Sequence, residues 1–170
     1  SVLDTVELNT RFPAQLGELC SASSTRIIQI ATDCVFSGKK GSYSESDKHD
    51  ATDLYGITKS LGEINAPNFM NIRSSIIGKE NTTSYSLLEW LLSSPKNAEI
   101  PGYVNHYWNG VTTLHFSKAV RGIIQQNLFK PGLAHLVPSE RISKQKLLLL
   151  IRQYFQRLDL QINEFVHETS

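Results

Sequence analysis

The chain has 170 residues, of which 40% are hydrophobic, and its 17 basic and 16 acidic side chains give a formal net charge of +1. A chain of this length can bury one hydrophobic core, and length alone predicts a single domain. The charges are spread without blocks, which argues against nucleic acid or an anionic membrane as a partner. The longest aliphatic run, residues 147–151, is far shorter than the roughly 18 residues of a membrane-spanning helix. We therefore expect a soluble, cytoplasmic protein.

Hydrophobic periodicity predicts helices and strands that alternate along the chain, which is typical of an α/β fold. Pro13 either kinks the first helix or starts its main part, and the Ile-rich first strand is typical of a buried parallel strand. The predicted elements are a helix (5–22), a strand (26–32), a polar loop (37–53), a helix (54–65), a strand (69–77), a helix (84–93), an irregular region with short strands (98–114), a helix (115–127), a short strand (135–138) and a helix (143–155).

The most informative segment is Tyr55-Gly-Ile-Thr-Lys59, because a Tyr and a Lys four residues apart share one face of a helix. An ammonium beside a phenol favours the ionised phenol, which can then exchange a proton with a carbonyl compound. This spacing also occurs by chance. Thr32, however, follows a strand-like segment, where α/β sheets place their binding crevice. The candidate catalytic residues are therefore Thr32, Tyr55 and Lys59, and the alternative for Thr32 is a hydroxyl that caps a local turn.

Three motifs follow one another in the order of a known family: Ala31-Thr-Asp-Cys-Val-Phe-Ser-Gly38, Gly41-Ser-Tyr-Ser-Glu-Ser-Asp47 and Leu54-Tyr-Gly-Ile-Thr-Lys-Ser-Leu-Gly-Glu63. They resemble the extended short-chain dehydrogenase/reductases, and within them the dTDP-4-dehydrorhamnose reductase branch. The resemblance spans about residues 9–150. It implies part of a Rossmann-type doubly wound parallel sheet plus a small substrate-binding region. Residues 1–78 would form the catalytic half of the NAD(P)-binding domain, and residues 79–170 mainly the substrate-binding region, interleaved in one compact unit.

The resemblance also implies a role for each site residue. Tyr55 would donate a proton to a sugar ketone oxygen, Thr32 would hydrogen-bond the same oxygen, and Lys59 would contact the nicotinamide ribose and keep the phenol acidic. Arg73 is left open between a site near the nicotinamide and a structural ion pair. The implied cofactor-binding residues are Ala31, Tyr55, Lys59, Ser74 and Ser75. The implied substrate-binding residues are Asp33, Cys34, Val35, Ile76 and Trp108.

The implied cofactor is NADP or NAD, although no glycine pattern of the G-x-x-G-x-x-G type is present to hold its pyrophosphate. We therefore interpret the chain as a fragment without the family's N-terminal, glycine-rich half. The strand over 26–32 would then expose an edge that favours self-association or pairing with another chain. No pair of histidines has ligand spacing, so no metal is expected.

Two functions remain open. The first is an NAD(P)H-dependent reductase of a nucleotide-linked 4-keto sugar, as in rhamnose biosynthesis. The second is a binding or regulatory module of the same fold, similar to the regulatory beta subunit of methionine adenosyltransferase. The branch usually has Trp where this chain has Ile76, and Pro-x-Asn where it has Ala51-Thr-Asp53. The identity of the sugar is therefore left open.

Overall fold

The computed structural model describes residues 1–80 and 86–166. Residue contacts group the chain into two units, whereas length alone predicts one. The first unit consists of Ser1–Ser75 and His115–Leu136, and the second consists of Ile76–Leu114 and Val137–Ser170. The functional division near residue 78 stays a prediction. None of the helices in the described ranges is long and apolar enough to cross a membrane.

Helices and strands alternate as the sequence predicts, which confirms the α/β class. The helices are α1 (Val2–Val6), α2 (Phe12–Cys20), α3 (Leu54–Leu61), α4 (Leu87–Ser93), α5 (Thr113–Gln125) and α6 (Lys144–Tyr154). The strands are β1 (Ile27–Ala31), β2 (Phe69–Arg73), β3 (Ile76–Ile77), β4 (Glu99–Tyr103), β5 (Tyr107–Trp108), β6 (Val111–Thr112), β7 (Gly132–His135), β8 (Ile142–Ser143) and β9 (Gln161–Phe165).

The first unit is built on a parallel sheet with the strand order β1-β2-β7. Ile27 pairs with Phe69 at one end of the sheet, and Arg73 pairs with His135 at the other. Every residue of β2 is buried, as expected for a central parallel strand. Because the three strands run in the same direction, the residues that follow them, Thr32 among them, meet at one edge of the sheet. This edge is where open α/β sheets bind their ligands.

The helical N-terminus is interrupted by a π-helical turn over Glu7–Arg11, between α1 and α2. Pro13 lies in the first turn of α2, directly after the π-helical turn. The prediction that Pro13 starts the main part of this helix is therefore confirmed. The π-helical turn was not predicted.

The second unit packs α4 and α6 around a parallel pair of strands, β4 and β9. Ser143 caps α6, because its side chain accepts a hydrogen bond from the backbone N–H of Lys146 at 3.2 Å. The irregular region with short strands is confirmed as β4, β5 and β6, but β9 was not predicted. The buried core of this unit consists of Leu88, Leu91, Ile100, Leu147, Leu148, Ile151 and Leu160.

Candidate active site

Thr32 lies at the carboxyl end of β1 and is 8% exposed. Its hydroxyl accepts a hydrogen bond from the backbone N–H of Cys34 at 3.2 Å and so caps a short 3₁₀ turn over Asp33–Val35. The capping role that was left open for Thr32 is therefore present. It occupies one acceptor site of the hydroxyl and fixes the orientation of the side chain.

Tyr55 lies in the first turn of α3, and its side chain is 48% exposed. Asp53 starts the helix, since its Oδ1 accepts a hydrogen bond from the Gly56 backbone N–H at 3.0 Å. A Cβ at Gly56 would lie 2.4 Å from the Cys34 carbonyl oxygen and 2.5 Å from the Ala51 side chain. Only glycine therefore lets α3 pack so closely against the turn that follows Thr32.

The C-terminal end of α3 is anchored from two sides. On one side, the Thr10 hydroxyl donates to the Thr58 carbonyl at 2.8 Å, and the Asn9 amide donates to the Thr58 hydroxyl at 3.1 Å. On the other side, the Gln29 amide of β1 donates to the Gly62 carbonyl at 2.7 Å. A Cβ at Gly62 would lie 1.8 Å from the Asn9 carbonyl oxygen. The N-terminal helical segment and the sheet thus fix the helix that presents Tyr55.

The pKa of Tyr55 is raised, mainly by partial burial of the phenol. The Thr32 hydroxyl lowers it in part, and Cys34, Asp33 and Asp53 raise it further. The sequence predicted the opposite direction, with Lys59 holding the phenol acidic. That prediction is wrong for this arrangement, because burial and the neighbouring negative groups outweigh the lowering effect. The phenol therefore holds its proton at neutral pH.

Lys59 lies one helical turn after Tyr55, and its ammonium donates a hydrogen bond to the Ile30 carbonyl oxygen at 3.1 Å. Burial lowers the pKa of Lys59, and the carboxylate of Glu63 raises it in part. An ammonium has three N–H donors, so the bond to Ile30 orients the group and leaves further donor positions. Lys59 is thereby fixed at the end of β1, close to Thr32.

The remaining predicted cofactor-binding residues lie at the ends of β1 and β2. Ala31 is buried at the end of β1, and Ser74 is buried with its hydroxyl donating to the Leu136 carbonyl at 2.8 Å. Ser75 follows Ser74 and ends this stretch of the first unit. A cofactor contact at any of the three stays a prediction.

Asp33 and Cys34 are exposed beside Thr32, where a substrate could reach them. Val35 is fully buried, and its carbonyl oxygen accepts hydrogen bonds from the backbone N–H groups of Asp50 and Ala51. The prediction that the Val35 side chain contacts the substrate is therefore wrong for this structure. Val35 instead holds the polar loop in place.

Ile76 and Trp108 belong to the second unit. Ile76 lies in β3 and pairs with Val111, so the predicted strand over 69–77 is in fact divided between β2 and β3. Trp108 lies in β5, pairs with Ile142 and packs against the core of its unit. An anchoring role for Trp108 is therefore present, and its substrate contact stays a prediction.

Sequence reasoning missed a polar cluster at the ends of β2 and β7. Arg73 is 2% exposed. Its Nε and Nη2 donate to Glu63 at 2.7 and 2.6 Å, and Nη1 lies 3.1 Å from Nε2 of His135. Nη2 also contacts Nε2 of His49, and the guanidinium lies over the Phe36 ring, 5.0 Å from its centroid. Of the two roles left open for Arg73, the structural ion pair is present. The sequence signal for this cluster was a charged residue inside an apolar strand, because a buried charge needs polar partners.

Thr32, Tyr55 and Lys59 thus lie at the carboxyl edge of a parallel sheet in a Rossmann-like α/β fold. Residues 3–82 match the model of the family described as RmlD substrate binding domain. This match confirms the resemblance to the dTDP-4-dehydrorhamnose reductase branch. A search of curated proteins found no match.

Solved structures of similar fold include three sugar-nucleotide enzymes. A hypothetical dTDP-4-dehydrorhamnose reductase from Sulfolobus tokodaii has a TM-score of 0.77 and 22% identity over 97% of this chain and 58% of its own. The dTDP-4-dehydrorhamnose reductase of Bacillus anthracis, in complex with NADP, has a TM-score of 0.73 and 17% identity over 95% of this chain and 57% of its own. The dTDP-glucose 4,6-dehydratase of Bacillus anthracis, in complex with NAD, has a TM-score of 0.68 and 14% identity over 96% of this chain and 57% of its own. The chain thus spans less than two thirds of each, and the likeness shows the fold.

Proposed function

We propose that this chain carries the catalytic residues of an NAD(P)H-dependent reductase that acts on a nucleotide-linked 4-keto sugar. One observation carries the proposal: Thr32, at the carboxyl end of β1, acts on the pKa of the Tyr55 phenol, and Lys59 is fixed by the Ile30 carbonyl of the same strand. Hydroxyl, phenol and ammonium groups together suit the reduction of a ketone. The match of residues 3–82 to the RmlD family model supports the same activity.

The residues present fit one end of a nicotinamide cofactor. Lys59 keeps donor positions for ribose hydroxyls, because the Ile30 carbonyl takes one of its three N–H groups. The sequence contains no glycine-rich turn for the pyrophosphate. When bound, the cofactor would supply the hydride. The free thiols of Cys20 and Cys34 agree with a reducing, cytoplasmic compartment for such an enzyme.

The residues of the chain would handle the proton and the charge on the substrate oxygen. Tyr55 donates its phenolic proton to the ketone oxygen, which becomes the new hydroxyl group. The Thr32 hydroxyl accepts from the Cys34 N–H, and its single O–H is directed at Asp33 Oδ1 across a long 3.5 Å. On substrate binding this O–H would turn from Asp33 to donate to the ketone oxygen. Two hydrogen-bond donors on this oxygen stabilise the negative charge that develops on it during reduction. Because Ile76 stands where the branch usually has Trp, the identity of the sugar is left open.

Titration with NADPH and NADH, followed by nicotinamide fluorescence, tests the proposal. We expect binding that Lys59→Ala weakens by about tenfold or more, because a hydrogen bond to a charged group contributes ~1.5–3 kcal/mol. Lys130→Ala is the control, since Lys130 is exposed on the same unit away from Thr32. If neither nucleotide binds, a reductase site in this chain is contradicted and the regulatory-module alternative is favoured.

We also propose that two copies of this chain associate through β1. This strand lies at the edge of its sheet, and Ile30 on it is 53% exposed. Beside it, Ile28, Ile30, Phe116, Val120 and Ile124 line a groove of about 410 Å³. An edge strand offers unpaired N–H and C=O groups to a second copy.

Sedimentation velocity tests this association. We expect a species heavier than the 19.1 kDa monomer and a shift toward the monomer in Ile30→Lys, because a charge on an edge strand opposes pairing. Leu19→Lys is the control, since Leu19 is 80% exposed on α2. A wild-type chain that sediments as a monomer at all concentrations and melts cooperatively would refute the proposal.

A further inference from the structure

The hydrogen-bond partners of His49 define its protonation state. Nε2 of His49 contacts Nη2 of Arg73, and Nδ1 contacts the Ser60 hydroxyl on α3. A guanidinium can only donate hydrogen bonds, so Nε2 must be the acceptor. The ring proton then lies on Nδ1 and is donated to Ser60. This pattern requires a neutral imidazole in the Nδ1–H form.

The charges around His49 come from several elements. Arg73 of β2 is the cation in contact, and Glu63, after α3, places Oε2 3.5 Å from Nε2. Arg73 also contacts His135 of β7, whose backbone N–H donates to Glu45 Oε1 at 2.8 Å. Glu63 is already paired through both oxygens with Arg73. A proton on His49 would therefore place a second cation against Arg73 and replace an acceptor with a donor.

We propose that His49 is a positioning residue, which in its neutral form ties the polar loop to α3 and β2 and on protonation loosens this attachment. The loop, residues 37–53, connects the turn after Thr32 with the start of α3. Ser60 lies next to Lys59, so the His49 contact joins the loop to the helix that carries the candidate catalytic groups. The effect on catalysis rests on the proposed function, whereas the hydrogen-bond pattern does not.

The direction of the pH effect follows from the same contacts. Burial lowers the pKa of His49 below its usual 6.5, Arg73 lowers it further, and Glu63 raises it in part. Because the pKa is lower in the folded state, the unfolded chain binds the proton more readily. The contribution of His49 to stability is therefore full above pH 6.5 and is lost as the pH falls through the lowered folded-state pKa.

The first test is ¹⁵N NMR of the imidazole rings of the wild-type chain, without cofactor or substrate. At pH 7.5 we expect His49 in the Nδ1–H form, with a midpoint of titration below the usual 6.5 of a histidine. An Nε2–H form, or a midpoint at or above that of an unfolded histidine, would overturn the proposal. A chain without reductase activity would still give this result, so the two proposals fail separately.

The second test compares wild type with His49→Gln and His106→Gln by hydrogen exchange between pH 7.5 and 5.5, corrected for intrinsic rates. Gln can accept from Arg73 and donate to Ser60, but it does not titrate in this range. We expect loop protection to be lost at low pH in wild type and in His106→Gln, and to persist in His49→Gln. Equal loss in all three chains would overturn the proposal.

Discussion

Tyr55→Phe lowers the rate of keto-sugar reduction by about 10²–10⁴-fold, because general acid catalysis by a positioned side chain contributes this much. The pKa of Tyr55 is raised above its usual value, so the wild-type phenol is protonated throughout the neutral range. Phe keeps the ring in the first turn of α3 but removes the proton and the hydrogen bond with Thr32. The measurement is single-turnover reduction of a nucleotide-linked 4-keto sugar by NADPH.

Tyr107→Phe is the matched control, since Tyr107 is 57% exposed in the second unit and we give it no role in proton transfer. NADPH binding should be weakened less by Tyr55→Phe than by Lys59→Ala, because Phe keeps the ring and the Lys59 ammonium is unchanged. A Tyr55→Phe chain that keeps the wild-type rate would show that another group supplies the proton. A wild-type chain that binds NADPH without turnover would favour the regulatory-module alternative.

Arg73→Met destabilises the chain by about 3–5 kcal/mol, because it leaves a buried carboxylate without its cation. The Arg73 side chain is 2% exposed and that of its partner Glu63 is 9% exposed. Water therefore cannot solvate the Glu63 carboxylate once the guanidinium is gone. Met also removes the guanidinium that contacts His49 and His135. The measurement is the free energy of unfolding from urea titration at pH 7.5.

Arg11→Met is the control for the loss of an arginine. Arg11 pairs with Glu7 at 3.2 Å, with both side chains more than half exposed, and an exposed pair of this kind contributes ~0–1 kcal/mol. The double variant Arg73→Met/Glu63→Gln should recover part of the loss, because it also removes the unpaired charge. Equal destabilisation by Arg73→Met and Arg11→Met would contradict the buried ion pair.

The sequence predicted the elements that carry the site. An Ile-rich run indicated β1, and the end of the polar loop at residue 53 indicated where α3 begins. Both predictions depend on local sequence, which is why they succeed. The predicted strand over 69–77 was divided between two sheets, since the break after Arg73 depends on tertiary contacts with β7 and β6.

The electrostatics of the site could not be predicted from spacing. Tyr55 and Lys59 share a helix face, but the pKa of the phenol depends on burial and on Asp33, Cys34 and Asp53, which reach it through the fold. The His49 contacts were equally hidden, because they join residues from a loop, a helix and a strand. Spacing thus identified the candidate reacting groups, while packing decides their protonation.

The first unit is completed late in synthesis, because Ser1–Ser75 leave the ribosome well before His115–Leu136. Until the later stretch emerges, β2 lacks its partner β7 and Arg73 lacks His135. A nascent chain in this state exposes an unpaired strand edge and a charged side chain that has only part of its final surroundings. The polypeptide order therefore leaves the central strand with an unpaired edge until late in translation, even though it is the most buried strand of the finished sheet.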